Sequence, residues 1–147
     1  MKEQNSYINL GEINVQGTKY AEVVKLWLSL LSLGKSGYRQ LIDFSFMLTN
    51  KFVSEVLKRS YLKLVSHPEM NLICFRGEPA YLNANEFYNW NERLQNYLIK
   101  ETDFFLSLPK YKNNLWLRTV LLNPFLKTKH IENLFENIDT FEKDNRA

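Results

Sequence analysis

The sequence predicts an α/β fold in which two N-terminal helices precede a small α/β sandwich. Three observations carry that prediction. The first third holds apolar residues at helical spacing, divided by Gly34. From Leu62 onward, short apolar runs bounded by turn residues alternate with helical periodicity, in the order strand, strand, helix, strand, strand, helix. Hydrophobic residues make up 45% of the 147 and aromatic residues 14%, ample material for a packed core and unlike a disordered chain.

The elements follow in order. The first ten residues read as irregular, and Glu12 to Gln16 as a short extended piece ending at Gly17. A helix is expected from Tyr20 to Leu33, closed by Gly34, because glycine tolerates the left-handed conformation at a helix C-terminus. Ser36 suits the N-cap of a second helix reaching Arg59. Leu62–Ser66 and Asn71–Arg76 read as strands joined by the turn His67-Pro68-Glu69. Gly77 and Pro79 interrupt, and Asn83 or Asn85 caps a third helix from Glu86 to Lys100. Its residues Phe87, Trp90, Leu94, Tyr97 and Leu98 share one face. Phe104–Leu108, ended by Pro109, and Leu115–Leu122 read as a hairpin turning at Lys112-Asn113-Asn114. Asn123-Pro124 stops it, and Thr128 caps a last helix with the face Ile131, Leu134, Phe135 and Ile138.

The stretch VVKLWLSLL, Val23 to Leu31, is apolar at seven of nine positions, and these surround the helix instead of lining one stripe. A helix apolar all round is buried all round, since each exposed Leu or Trp forgoes roughly 1.5–3 kcal/mol. Two coverings are open. The second helix, through Leu41, Ile42, Phe44, Met47, Leu48, Phe52 and Val56, is one; a larger domain or a second subunit is the other.

Composition excludes several functions. The net charge of +3 is spread among carboxylates without a basic stripe, which argues against nucleic acid as a partner. The most apolar stretch is far shorter than the roughly 20 residues of a membrane helix, and residues 1–19 lack the pattern of a secretory leader, so no membrane association and a cytoplasmic location are expected. The lone Cys74 in LICF reads as a buried, reduced thiol. His67 and His130 have no partners at ligand spacing, so no metal site is expected. No Ser–His–Asp or Cys–His order and no glycine-rich phosphate loop appears, so no catalytic residue is assigned.

Three segments resemble a known family. QGTKYAEVVKLWLSLLSLGKSGY (Gln16–Tyr38), LICFRGEP (Leu72–Pro79) and FFLSLPKYKNNLWLRTVLLNPFLKTKHIENLFENI (Phe104–Ile138) are similar, in order and spacing, to group II pyridoxal-phosphate (PLP) dependent amino-acid decarboxylases. The resemblance covers residues 8–140 and concerns only the C-terminal part of those enzymes. It implies the C-terminal portion of the fold type I, aspartate-aminotransferase-like architecture. Residues 1–35 would end the large PLP-binding domain, 36–60 form a connecting helix and 61–147 form the small α/β domain. The buried setting of the Trp27 helix would then come from the large domain.

The resemblance also implies what the chain does not contain. The family's Schiff-base lysine lies in a His-Lys motif upstream of the match, and no His-Lys dipeptide occurs here. PLP is thus expected only in a complete enzyme, in partnership with the N-terminal remainder or a second subunit, as a homodimer. Gly17 and Thr18 match the family turn that approaches the PLP phosphate of the neighbouring subunit; an ordinary turn is the alternative. Lys19 stands where the family has arginine, which weakens a bidentate contact there. Lys25 reads as structural, and Arg76 and Arg118 as partners of small-domain carboxylates more than as substrate ligands. The function implied is that of a decarboxylase C-terminal part, inactive alone. The alternatives are a non-catalytic interaction module derived from the family and an unrelated α/β domain.

Overall fold

The computed structural model describes residues 21–146, and the chain divides into two units, Met1–Arg39 and Gln40–Ala147. Helix α1, Glu22–Leu57, runs through the division. Its single non-helical residue is Gly34, at φ 60° and ψ −179°. That conformation is strained for a residue with a Cβ, so glycine ends one helical piece and lets the next begin, as the sequence predicts. The expected start at Tyr20 lies outside the described residues.

Within the first unit, Lys25 Nζ pairs with Glu22 at 2.9 Å, and the Ser29 and Tyr38 hydroxyls lie 2.5 Å apart. Lys25 is thus exposed and paired with a neighbour on its own helix. The apolar residues are exposed: Val23 by 72%, Trp27 by 57% and Leu31 by 63%.

The second unit is built on a three-stranded antiparallel sheet. Strands β1 (Leu62–Leu64) and β2 (Leu72–Gly77) pair as predicted, with Leu64 opposite Phe75. Strand β5 (Leu117–Val120) lies on the other side of β2, with Phe75 opposite Leu117 and Cys74 opposite Arg118. Side chains alternate across a strand, so Leu62, Leu64, Ile73, Phe75 and Leu117 face one way. That face meets helix α2 (Phe87–Glu101), helix α3 (Thr128–Asp144) and the C-terminal part of α1, giving the helices-on-one-face sandwich expected. Phe52, Phe75 and Phe135 meet at its centre, Phe52 edge-on to the other two at centroid distances of 5.5 and 4.8 Å. The α1 residues Leu48, Phe52 and Val56 are buried there, while Leu41, Ile42 and Met47 remain exposed.

The predicted hairpin exists but is displaced. Strands β3 (Lys110–Tyr111) and β4 (Asn114–Leu115) flank the turn Lys112-Asn113, where both residues have positive φ as a two-residue hairpin turn requires. The same register continues through the Trp116 N–H to the Pro109 carbonyl and through a bridge between Ser107 and Arg118. Pro109 therefore lies inside the hairpin and does not end it. Having no N–H, it interrupts the ladder, which is why the expected strands Phe104–Leu108 and Leu115–Leu122 break into short pieces.

Two caps also differ from expectation. Neither Asn83 nor Asn85 caps α2; Glu86 occupies that position and its carboxylate accepts the Asn83 N–H at 2.8 Å. Thr128 is the first helical residue of α3, and the His130 Nδ1 accepts the Lys127 N–H at 3.2 Å. In both, a side chain three residues on reaches back to the orphan donor.

Buried polar groups tie the layers. Asn91, 1% exposed, accepts the Gly77 N–H and donates to the Gly77 and Phe87 carbonyls, all within 2.7–2.8 Å. Gly77 has no room for a side chain there, since an added Cβ falls 1.9 Å from the Trp90 ring. At the end of α1, Arg59 donates to Asp139 through Nε and Nη2 at 2.7 and 2.6 Å and to Glu55 at 3.0 Å. The Tyr61 hydroxyl donates to the same Asp139. Burial opposes ionisation of Asp139, but the bonds from Arg59 and Tyr61 outweigh it and hold the carboxyl below its usual range.

Candidate functional site

Gly17 and Thr18, the residues expected to bind a cofactor phosphate, lie outside the described residues. The site the structure offers is on the outer face of the sheet, away from the helices. The residues turned outward are Lys63 on β1, Leu72, Cys74 and Arg76 on β2, and Arg118 and Val120 on β5. A cavity of about 590 Å³ lies between this face and the β3–β4 hairpin, lined in part by Leu72, Cys74, Lys110, Lys112, Trp116 and Arg118.

The electrostatics of this cavity are one-sided. Three cations line it and no carboxylate does. Arg118 Nε donates to Ser107 Oγ at 3.0 Å, and among the described residues Arg118 forms no ion pair with a carboxylate. The expectation of carboxylate pairing thus fails for Arg118: its cross-strand neighbours are Cys74 and Ser107, and neither carries charge. It holds for Arg76, whose Nε donates to Glu78 at 2.6 Å and whose Nη2 pairs with the same carboxylate. Lys63 pairs with Glu78 as well. Burial opposes ionisation of Glu78, and these two cations hold its carboxyl below the usual range.

Cys74 is half-buried on the outer face, so the expectation of a core thiol is corrected. Outward residues of β2 alternate with the core residues Ile73 and Phe75, and an apolar run does not show which set a cysteine joins. Burial pushes its thiol up, against the opposing effect of Arg118, so it is no activated nucleophile. His67 and His130 are both exposed. No group of three metal-ligating side chains is placed to hold an ion among the described residues, and none of their helices is long and apolar enough to cross a membrane. What the cavity can do is accept an anion against an aromatic wall. Trp116 and Lys110 are not singled out by sequence reasoning. The available signal is the period-two spacing of Trp116 with Arg118 and of Cys74 with Arg76, which places each pair on one sheet face.

No protein-family model matches the chain. Individual proteins do. It is 26% identical to the cysteine sulfinic acid decarboxylase of Rattus norvegicus, over 97% of this chain and 31% of that one. It is 23% identical to an acidic amino acid decarboxylase of Mus musculus (91% and 26%) and to an L-2,4-diaminobutyrate decarboxylase of Acinetobacter baumannii (92% and 27%). Its structure matches that of Oryza sativa TDC with PLP and tryptamine at a TM-score of 0.83 and 17% identity, covering 94% of this chain and 30% of that one. Mouse CSAD in apo form gives 0.76 at 24% identity, covering 96% and 32%.

The chain is related to the C-terminal part of the group II PLP-dependent amino-acid decarboxylases. It has the fold of the corresponding portion of fold type I enzymes. It spans about three-tenths of the length of the decarboxylases it matches.

The described residues do not by themselves fit PLP. The cavity offers cations for an anionic group but no carboxylate to pair with a pyridine nitrogen. Its two lysines lie near aromatic rings, Lys110 5.9 Å from the Tyr88 centroid and Lys112 5.3 Å from that of Tyr111.

Proposed function

We propose that this chain serves as the C-terminal part of a PLP-dependent amino-acid decarboxylase, a carboxy-lyase, and supplies binding and packing surfaces while other residues supply the catalytic groups. The observation that carries the reading is the exposure of Val23, Trp27 and Leu31 on a helix apolar all round, in a chain matching only about three-tenths of its decarboxylase relatives. Such a helix is stable when a larger body covers it. The absence of a His-Lys dipeptide supports the same reading.

In this reading residues 1–35 complete the large domain, 36–60 connect, and 61–147 form the small domain. Gly17 and Thr18 donate to the PLP phosphate in a complete homodimer. Arg118 anchors an anion at the outer face of the sheet, because its charge is left without a carboxylate partner. When bound, PLP supplies the electron sink; this chain's part is to orient and enclose.

The test is to purify the 147-residue chain, add PLP, and assay acidic and aromatic amino acids for CO2 release. No bound-PLP absorbance and no activity are expected until a polypeptide carrying the N-terminal portion of such a decarboxylase is supplied. A yellow, active preparation of the chain alone overturns the proposal. The exposed apolar helix also favours a second reading, a non-catalytic module that binds a partner. A stable homo-oligomer that the N-terminal polypeptide does not dissociate would select it.

A further inference from the structure

We infer that Trp116 is the wall that determines which anion the outer-face cavity accepts, and that Arg76 is the positioning residue that holds this wall in place. The inference rests on Arg118 as the anion anchor proposed above.

Arg76 is an outward residue of β2, yet its guanidinium is not available to a ligand. Nε and Nη2 are both engaged by Glu78, and Nη1 is buried without a hydrogen-bond partner. Glu78 is in turn pinned by Lys63, so the guanidinium sits in a fixed plane. Its guanidinium carbon lies over the Trp116 ring, 4.7 Å from the ring centre. Stacking of a planar guanidinium on indole is an attraction that the point charge of lysine reproduces poorly. At its edge the indole is tethered through its N–H, which donates to the Tyr111 carbonyl at 3.3 Å. Trp116 is therefore held both by its ring and by its N–H while it lines the same cavity as Arg118.

A cation beside a fixed apolar plane distinguishes anions by what they carry behind the charge. The charged head meets Arg118 equally well whether or not a carbon stem follows. The stem gains only where an apolar surface is waiting for it, roughly fourfold in affinity per fully buried methylene and about twofold when half-buried. The ligand class is thus a carboxylate with a short apolar stem, in preference to inorganic phosphate, which has none.

The experiment titrates the 15N-labelled full chain with acetate, butyrate and inorganic phosphate, following the indole N–H signals by NMR. Butyrate is expected to bind about 3–10-fold tighter than acetate and to move the Trp116 signal. Arg118→Gln should abolish binding of all three. Arg76→Lys, which keeps the charge and loses the plane, should move the Trp116 signal before any ligand is added and reduce the butyrate preference below twofold. The Trp90 signal, from the core, reports that the fold is intact. Should Arg76→Lys not fold, Trp116→Leu gives the same readout of preference. Unchanged binding by Arg118→Gln overturns the anchor itself. Loss of binding in Arg118→Gln with the butyrate preference intact in Arg76→Lys and Trp116→Leu overturns the role of Trp116 alone, as does phosphate binding tighter than butyrate.

Discussion

Replacing Glu55 by glutamine should make the protein less stable at neutral pH and leave it nearly unaltered near pH 2. Glu55 lies on α1 with a side chain 9% exposed, and three cations converge on it: Lys58 at 2.8 Å, Lys51 at 3.0 Å and Arg59 at 3.0 Å. The hydrogen bond from Lys58, joined by those from Lys51 and Arg59, outweighs burial and takes the carboxyl from its ordinary 4.5 to about 2. At about 1.36 kcal/mol per pH unit, that drop sets a ceiling of roughly 3 kcal/mol. Lys58 is 62% exposed, so water screens its share, and glutamine keeps part of the hydrogen bonding; about 1–2 kcal/mol is the expected loss. Because the folded-state pKa is depressed, this stability is fully present above the unfolded value and disappears as pH falls through the folded one. The gap between wild type and Glu55→Gln should therefore be constant from pH 7 to about 5 and close between pH 5 and 2. Urea unfolding followed by circular dichroism measures it, as a midpoint shift of about 0.5–1 M at neutral pH. A gap of the same size at pH 7 and pH 3 would refute the reasoning, since it would place the effect in packing and not in charge.

Substitutions at three further positions probe the framework of the second unit. Asn91→Ala leaves the Gly77 N–H and carbonyl without their partner in a buried setting and should cost about 2–4 kcal/mol, with faster hydrogen exchange at Gly77. Gly77→Ala drives a methyl into the Trp90 ring and should cost about 1–3 kcal/mol, seen as a lowered Tm and altered near-ultraviolet circular dichroism. Arg59→Ala removes the one cation that joins Asp139 to Glu55, leaving Asp139 the Tyr61 hydroxyl and Glu55 its two lysines, and should cost about 2–4 kcal/mol in urea unfolding, whereas Arg59→Met, which keeps contact with the Phe135 ring, should cost less.

Much of the fold is legible along the chain because its signals are local. Gly34 marks a helix break that any other residue would resist, and the face Ile131, Leu134, Phe135 and Ile138 of α3 is buried as its spacing predicts. The hairpin shows where local reading stops. Its turn is recognisable from Lys112-Asn113, but whether Pro109 ends a strand or sits within a hairpin depends on the register of the partner strand, fixed by contacts seven and eleven residues apart along the chain. The cavity is harder still. Cys74 and Arg118 are 44 positions apart and become neighbours only because β5 pairs with β2.

The sequence by itself determined the helices, the β1–β2 pairing and the kinship with decarboxylases, since periodicity, glycine placement and motif order are properties of the chain. Only the tertiary structure decided which of two similar arginines is neutralised. Arg76 finds Glu78 two residues on, just past the end of its strand, while Arg118 faces an uncharged thiol and a serine and keeps its charge for something else. Coulomb interaction falls with distance in space, and in a sheet that distance is set by strand pairing, which a linear reading of residues does not contain.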